Sequence, residues 1–227
     1  MVFVEDGSLM VKILYEDNHL LVVVKPYNMP VCSDSSGDLD LMTYLKDYLK
    51  KKYNKPGNVY LGLIHRLDRP VSGVMVFAKT SKCASRLSEQ VRLKKFNKRY
   101  YAVVCGSLSG NGVLEDKLLK DGRTNMVCVD PRGKDSSLEY SVIDCRDDLS
   151  LVDINLITGR SHQIRVQFSS RGYPLYGDQR YNRNAIVGEQ IALFSYFLSF
   201  EHPITHEVLE FCEFIPNRYP FDLFIGK

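Results

Sequence analysis

The second half of the chain is a succession of short strand-like segments, and this pattern constrains the fold more than any other feature of the sequence. The segments are rich in β-branched and aromatic residues and are separated by turn residues. They span residues 100–105, 126–129, 138–143, 151–157, 192–200 and 208–214. Short connections join antiparallel strands, because parallel strands need a long crossover between them. We therefore predict an α+β protein with a mixed, mainly antiparallel central sheet flanked by helices.

The first half of the chain alternates between strands and helices. Strands are predicted at residues 13–15, 20–24 and 73–78. Apolar residues recur at helical spacing from Leu41 to Leu49 and predict a helix that is ended by Pro56-Gly57. Ser81 is predicted to cap a second helix.

A third helix is predicted after residue 160. Ser161 can cap this helix and Gly172 can end it. His162, Arg165 and Ser169 stand at i, i+3 and i+7, so they share one face. The polar stretch 107–112 is the predicted boundary between two lobes of a single domain that spans residues 1–227.

The segment 65–73 carries the clearest chemical signal. It reads His-Arg-Leu-Asp-Arg-Pro-Val-Ser-Gly and sets Asp68 between Arg66 and Arg69. Positive charges close to a carboxylate favour its ionised form, and a turn fixes its direction, so the pattern indicates an aspartate prepared to act as a nucleophile. The alternative is a set of ordinary ion pairs in a surface loop.

Further motifs stand before and after this segment. They are residues 13–17 with Lys25-Pro26 and Pro30, the strand-like 98–106, the stretch 158–165, and residues 172–178. Together with the Asp68 segment, this order resembles the RluA-type family of RNA pseudouridine synthases from about residue 13 to about residue 214. Val71, Gln167 and Asn182 depart from the usual family pattern, but none of them stands at a catalytic position.

The resemblance implies an enzyme that isomerises specific uridines of structured ribosomal or transfer RNA to pseudouridine, without cofactor or metal, in a cleft between the two lobes. Asp68 is the implied catalytic carboxylate and Arg165 the basic residue that keeps it ionised and oriented. Tyr100 is implied to lie against the target base and to help remove the proton from carbon 5. A plain core tyrosine and a helix-surface arginine are the alternatives for these two residues.

The resemblance also implies substrate-binding residues. Arg66 would fill the gap left when the target uridine turns out of its stack, or else it would pair with Asp68. His65, Arg160 and His162 are further candidates for contact with the RNA. The alternative for the two histidines is that they support the loop and the entry to the third helix.

Net charge and composition say little about which molecules this protein binds. A net charge of +3 and an isoelectric point near 8.4 are mildly basic and do not identify an RNA partner. Lysines and arginines cluster in residues 46–55 and 86–99, which fit either RNA phosphates or solvated helix faces. The six cysteines form no Cys-x-x-Cys motif, which favours reduced thiols over metal ligands.

The sequence has no targeting signal and no apolar run long enough to span a bilayer, so we expect a cytoplasmic protein. No membrane and no protein partner are implied, and we expect a monomer that lacks the small N-terminal RNA-binding module of many relatives. Two other classes stay open: a non-catalytic RNA-binding protein on the same fold, and a nucleoside or glycoside hydrolase that uses a pair of carboxylates. Neither the target RNA nor the target uridine can be predicted.

Overall fold

The computed structural model describes residues 2–4 and 11–225. In chain order the elements are β1 (Val2–Val4), β2 (Val11–Glu16), β3 (Leu20–Lys25), α1 (Leu41–Lys52), β4 (Gly62–Leu63), β5 (Ser72–Ala78), α2 (Ser81–Arg92), β6 (Asn97–Cys105), β7 (Asn111–Lys120), β8 (Val127–Val129), β9 (Lys134–Arg146), β10 (Leu149–Leu156), α3 (Gln163–Ser169), β11 (Leu193–Glu201), β12 (Val208–Cys212) and a short 3-10 helix (Phe221–Phe224). No helix in the described part of the chain combines the length and the apolar character that a membrane crossing requires.

The chain forms two compact units. The first comprises the chain up to Phe96 together with Phe197–Glu213, and the second comprises Asn97–Tyr196 together with the residues from Phe214 onward. Strand β11 thus contributes its first half to the second unit and its second half to the first. The predicted boundary at 107–112 lies inside the second unit, where β7 begins at Asn111.

The first unit is built on strands in the order β1-β2-β3-β5-β11, with β4 also paired to β5 and β12 to β11. The pairs β1–β2, β2–β3, β3–β5 and β11–β12 are antiparallel. All seven residues of β5 are buried. Leu87 of α2 packs with Val22 of β3 and Val76 of β5, so the apolar stripe of this helix covers the sheet.

The predicted helices of the first unit are confirmed, with shifted ends. In α1 the buried residues are Leu41, Leu45 and Leu49, but the helix ends at Lys52, before the predicted Pro56-Gly57. The predicted cap at Ser81 is wrong by one residue: Thr80 has the extended backbone of a cap, and its hydroxyl accepts the N–H of Cys83. Two adjacent hydroxyl residues cannot be told apart as caps from sequence alone.

The second unit has the strand order β11-β6-β10-β9-β7-β8. The pairs β6–β10, β9–β10, β7–β9 and β7–β8 are antiparallel. Val166 of α3 packs against Leu118 of β7 and Val127 of β8, which fixes the helix on this unit. The predicted α+β class with a mainly antiparallel sheet is confirmed.

The strand pattern missed β7 entirely. Only Leu114 and Leu118 are buried in this strand, whereas the neighbouring Glu115 and Lys117 are exposed. A strand that faces solvent on one side carries charged residues at alternate positions, and these lower its apparent strand propensity.

A buried carboxylate organises one end of the first unit. Glu16 accepts hydrogen bonds from the Tyr48 hydroxyl at 2.8 Å, Lys52 Nζ at 2.8 Å, the Tyr53 hydroxyl at 2.7 Å and Lys79 Nζ at 2.9 Å. Burial by itself would raise the pKa of Glu16, but these hydrogen bonds outweigh it and lower the pKa to about 2. The Glu16 carboxylate therefore joins β2 to α1 and to the residue after β5.

Replacing Glu16 with Gln should lower the free energy of unfolding by about 2 kcal/mol at pH 7, because it removes the charged acceptor of two lysines and two tyrosines. Since the pKa of Glu16 is lower in the folded state, its contribution is present above the unfolded value of about 4.5 and is lost as the pH falls toward 2. Urea unfolding of wild type and Glu16→Gln at pH 7 and pH 3 should therefore show a difference that shrinks in acid. The exposed Glu115→Gln is the matched control, and an equal effect of both substitutions at pH 7 would contradict the network.

Candidate active site

Asp68 lies in an irregular segment of the first unit between β4 and β5. Its carbonyl oxygen accepts a hydrogen bond from the Val71 N–H at 3.0 Å. Shortly after this turn, the buried Ser72 hydroxyl donates to the carbonyl oxygen of Lys25 at 2.7 Å. The turn that carries the carboxylate is therefore hydrogen-bonded within itself and fixed to the end of β3.

His65 fixes the beginning of the same segment. Its Nε2 accepts a hydrogen bond from the Val76 N–H at 3.2 Å, and its ring meets Phe96 edge-on with the centroids 6.3 Å apart. An accepting Nε2 requires that a neutral imidazole carry its proton on Nδ1. These contacts position the Asp68 segment on β5, and the substrate contact of His65 stays a prediction.

The two arginines that flank Asp68 in sequence do not surround its carboxylate. The Arg69 guanidinium is engaged by three side chains of the segment before α1: Asp34, Ser36 and Asp38. Arg66 is exposed and, within residues 2–4 and 11–225, forms no hydrogen bond or ion pair, so it is not the partner of Asp68. The prediction that two guanidinium groups hold Asp68 is wrong, because the loop carboxylates bind Arg69 instead.

Lys25, which belongs to one of the sequence motifs, lies close enough to Asp68 to interact with its charge. Lys25 is fully buried, and its Nζ donates to the carbonyl oxygens of Pro26 at 2.9 Å, Met29 at 2.7 Å and Arg69 at 3.0 Å. Burial lowers the pKa of Lys25 to about 7, while the charge of Asp68 acts in the opposite direction. Lysines are rarely buried, so sequence alone gives no reason to place this one beside Asp68.

Tyr100 lies in the second unit on β6, opposite Ile154 of β10, and its side chain is 5% exposed. Residues alternate along this strand, so that Lys98 and Tyr100 are buried on one face while Arg99 points to the other, where it pairs with Asp153. The phenol of Tyr100 is thus held on a rigid strand rather than on a loop.

Arg165 is buried near the start of α3 and forms a two-pronged ion pair. Its Nε donates to Asp178 Oδ2 at 2.8 Å and its Nη2 donates to Asp178 Oδ1 at 2.7 Å. The Asp178 side chain is fully buried and also accepts the Arg180 N–H at 3.1 Å. A planar guanidinium bound at two nitrogens has its orientation fixed, which a single hydrogen bond would not achieve.

The predicted common face of the third helix is confirmed by its contacts with one residue. His162 Nδ1 lies 2.7 Å from the Tyr181 hydroxyl, and the Arg165 guanidinium lies 5.2 Å from the centre of the Tyr181 ring. The Ser169 hydroxyl donates to the Tyr181 carbonyl oxygen at 2.7 Å. Tyr181 therefore anchors α3 along its length.

The predicted cap of this helix at Ser161 is wrong. The N-cap is His162, which has a left-handed backbone with φ of 51° and forms no side-chain cap bond. The turn before it is tied instead by Gln163, whose Oε1 accepts the Thr158 hydroxyl at 2.8 Å and the Arg160 N–H at 3.0 Å. The exposed Arg160 donates through Nε to the Asp135 carbonyl oxygen at 2.9 Å, and its contact with RNA stays a prediction.

The first unit thus carries Asp68, His65 and Arg66, and the second carries Tyr100 and Arg165 with the helix entry. In the part of the chain that the structure describes, no three histidine, cysteine, aspartate or glutamate side chains form a group that could hold a metal ion. The described residues offer a carboxylate, a phenol and a guanidinium, carried by a hydrogen-bonded turn, a strand and a helix respectively.

Known proteins resemble this chain over most of its length. A family model described as RNA pseudouridylate synthase matches residues 19–170. Ribosomal large subunit pseudouridine synthase D of Zymomonas mobilis subsp. mobilis is 34% identical over 228 residues, which cover 94% of this chain and 72% of that protein. Ribosomal large subunit pseudouridine synthase C of Buchnera aphidicola subsp. Acyrthosiphon pisum is 35% identical over 181 residues, which cover 78% of this chain and 56% of that protein.

A solved structure, the human RNA pseudouridylate synthase domain containing 4, shares the fold with a TM-score of 0.77 at 24% identity, over 94% of this chain and 92% of that one. The fold and the sequence matches together define an RNA pseudouridine synthase, which is an isomerase. Within that class, the chain belongs to the RluA-type family.

Replacing Asp178 with Asn should lower the free energy of unfolding by about 3 to 5 kcal/mol, because it removes the charged acceptor from a buried, two-pronged ion pair. Thermal or urea unfolding measures this loss directly. Asp130→Asn removes the same charge from an ion pair whose arginine, Arg132, is 79% exposed, and its effect should be much smaller. Equal losses in the two variants would show that the Arg165–Asp178 pair does not hold the second unit together.

Proposed function

We propose that this chain isomerises specific uridines of ribosomal RNA to pseudouridine, with Asp68, Tyr100 and Arg165 as its catalytic residues. The observation that carries this proposal is the Asp68 turn, which is hydrogen-bonded to β3 and stands near the buried Lys25 ammonium. The relatives named above are ribosomal large subunit enzymes, which supports ribosomal RNA as the substrate. Transfer RNA is the second candidate, because it also presents uridines in structured loops.

The reaction breaks the bond from nitrogen 1 of uracil to the ribose, turns the base, and joins carbon 5 to the same sugar carbon. A carboxylate such as Asp68 can attack the sugar, attack the uracil ring or accept a proton from the sugar. All three routes need an ionised and oriented carboxylate. The turn from Asp68 to Val71 supports the orientation, because it fixes the backbone from which the carboxylate projects.

Arg165 is proposed to supply positive charge toward the catalytic carboxylate. Its fork with Asp178 supports this role, because the pair holds the guanidinium plane in one orientation. Tyr100 is proposed to lie against the target base and to accept the proton from carbon 5. A phenol with a reference pKa of about 10 is a weak base, so stacking is an independent part of its role.

Arg66 is proposed to take the place of the uridine that turns out of the RNA. Its exposure, and the absence of any hydrogen bond or ion pair to it among the described residues, support a side chain available to RNA. His65, Arg160 and His162 complete the proposed substrate-binding residues. The first unit also has an open surface hollow of about 490 Å³, which is lined by Lys50, Lys51 and Lys55 among others. The charge of these lysines supports contact with RNA phosphates.

The protein is proposed to act as a monomeric single domain, without metal or cofactor. A cytoplasmic site of action is part of the proposal, and it is supported by the names of the relatives above, which are bacterial ribosomal large subunit enzymes. A non-catalytic RNA-binding role is less well supported, since Asp68, Tyr100 and Arg165 are all present. A hydrolase would require two facing carboxylates. The motif carboxylates Glu16 and Asp178 are instead bound by basic side chains, which are Lys52 and Lys79 for Glu16 and Arg165 for Asp178.

Asp68→Asn should abolish pseudouridine formation, lowering the single-turnover rate by about a thousandfold or more, while RNA binding and folding persist. Asparagine keeps the size of the side chain but lacks the ionised carboxylate that every route requires. Pseudouridine mapping in ribosomal and transfer RNA should reveal positions that are modified in cells with the wild-type gene and unmodified in cells with Asp68→Asn. Those positions identify the substrate.

The matched control is Asp147→Asn, an exposed position with φ of 50° that asparagine tolerates well. This variant should modify RNA at the wild-type rate. Substantial activity of Asp68→Asn would remove Asp68 from the mechanism, and the absence of any pseudouridine that depends on the wild-type gene would overturn the proposed function.

Tyr100→Phe should bind RNA almost as tightly as wild type but release little tritium from uridine labelled at carbon 5 under single-turnover conditions. The phenyl ring keeps the stacking surface, and the missing hydroxyl removes the proposed proton acceptor. Tyr101→Phe is the control, because Tyr101 lies on the opposite face of β6 and stacks on Tyr196 with ring centres 3.9 Å apart. Wild-type tritium release by Tyr100→Phe would leave Tyr100 with stacking alone.

A further inference from the structure

Lys98 is a buried lysine of β6 that the proposed mechanism leaves without a task. Its side chain lies on the same strand face as Tyr100, and the residue is 9% exposed. Two residues along a strand correspond to about 7 Å, so the stems of the two side chains are neighbours. In the sequence, Lys98 stands out only as one of the basic residues clustered in 86–99, whereas Tyr100 matches the family tyrosine.

The ammonium of Lys98 lies against Gly159, and a Cβ built at that glycine would be 3.3 Å from Lys98 Nζ. Gly159 lies in a turn between Thr158 and Arg160. Both of these residues donate a hydrogen bond to the side-chain oxygen of Gln163, the first residue of α3. The position of the ammonium is therefore defined by two fixed elements of the second unit: the strand of Tyr100 and the turn that leads to Arg165.

No hydrogen bond or ion pair satisfies this ammonium within residues 2–4 and 11–225. Lys25, the other deeply buried lysine, has three carbonyl acceptors. Burial lowers the pKa of Lys98 from the usual lysine value. The side chain is buried, but its nitrogen is not among the described polar atoms that are closed to water, so an anionic oxygen of a ligand can reach it at hydrogen-bonding distance.

We propose that Lys98 binds an anionic oxygen of the nucleotide that lies against Tyr100. The inference rests on the proposed function and adds a substrate-binding group to it. Two parts of a nucleotide carry such an oxygen: the uracil ring after its bond to ribose breaks, and the backbone phosphate. When that bond breaks, its electron pair stays on the uracil and spreads to the two ring oxygens, and Lys98 donates a hydrogen bond there without transferring its proton.

The fixed position of Lys98 favours the uracil oxygen over the phosphate. A donor that is fixed before the reaction stabilises most strongly a charge that appears during the reaction. A phosphate is charged throughout and is ordinarily bound by exposed lysines and arginines, and the surface hollow described above offers such lysines at residues 50, 51 and 55.

Three variants test the proposal. Lys98→Met keeps an unbranched apolar stem and removes the charge, whereas Lys98→Arg keeps the charge. Lys95→Met is the control, because it removes one exposed charge three residues earlier in the chain. The readouts are the single-turnover rate at saturating enzyme, the RNA dissociation constant at several salt concentrations, and thermal unfolding. We expect Lys98→Met to lower the rate by about a hundredfold with unchanged RNA affinity and undiminished thermal stability. Lys98→Arg should recover part of the rate, and Lys95→Met should keep all of it.

The readouts separate the two sources of the oxygen. A phosphate contact would leave the saturated rate unchanged, weaken RNA binding, and lower the slope of log affinity against log salt by about one relative to the wild-type protein. The proposal is overturned if Lys98→Met keeps both rate and affinity, or if it loses activity only together with stability and Lys98→Arg restores nothing. A wild-type protein that forms no pseudouridine would overturn the proposed function and this inference with it, whereas failure of the inference alone leaves wild-type activity intact.

Discussion

A single buried ammonium, that of Lys25, holds together the part of the first unit on which the candidate chemistry depends. It donates hydrogen bonds to the carbonyl oxygens of Pro26 and Met29, which follow β3, and of Arg69, which is more than forty residues further along the chain. Because a carbonyl oxygen carries only a partial charge, three of them satisfy the ammonium without neutralising it. The lysine thus fixes the turn of Asp68 to the end of β3, and burial lowers the pKa of this lysine to about 7.

In the second unit, a buried cation is bound by a carboxylate instead of by carbonyl oxygens. Arg165 forms a buried, two-pronged ion pair with Asp178. Such a pair fixes the direction of the guanidinium, because two parallel hydrogen bonds hold its plane. Lys98 of the same unit has neither carbonyl acceptors nor a carboxylate among the described residues, which distinguishes it from both. Fixed charge, fixed direction and unmet hydrogen-bonding capacity are three separate uses of a buried cation.

Sequence patterns predicted what depends on neighbours in the chain. Strand alternation and helical spacing located most strands and all three helices, and ordered motifs indicated the family and its candidate catalytic residues. Partners distant in sequence could not be predicted: Arg69 binds the 34–38 loop rather than Asp68, and Lys25 reaches the Asp68 turn from β3. Strand β7 was missed for a related reason, since its burial pattern follows from pairing with β9 and not from its own composition.

The division of β11 between the two units has a consequence for how this protein can change in evolution. The chain passes between the units after Phe96, after Tyr196 and after Glu213, so neither unit is one continuous segment of the gene. No single cut yields a piece that contains one whole unit and nothing of the other. Asp68 on one side and Tyr100 with Arg165 on the other therefore cannot be exchanged as modules by simple gene fusion, and any duplication or swap must carry both units together.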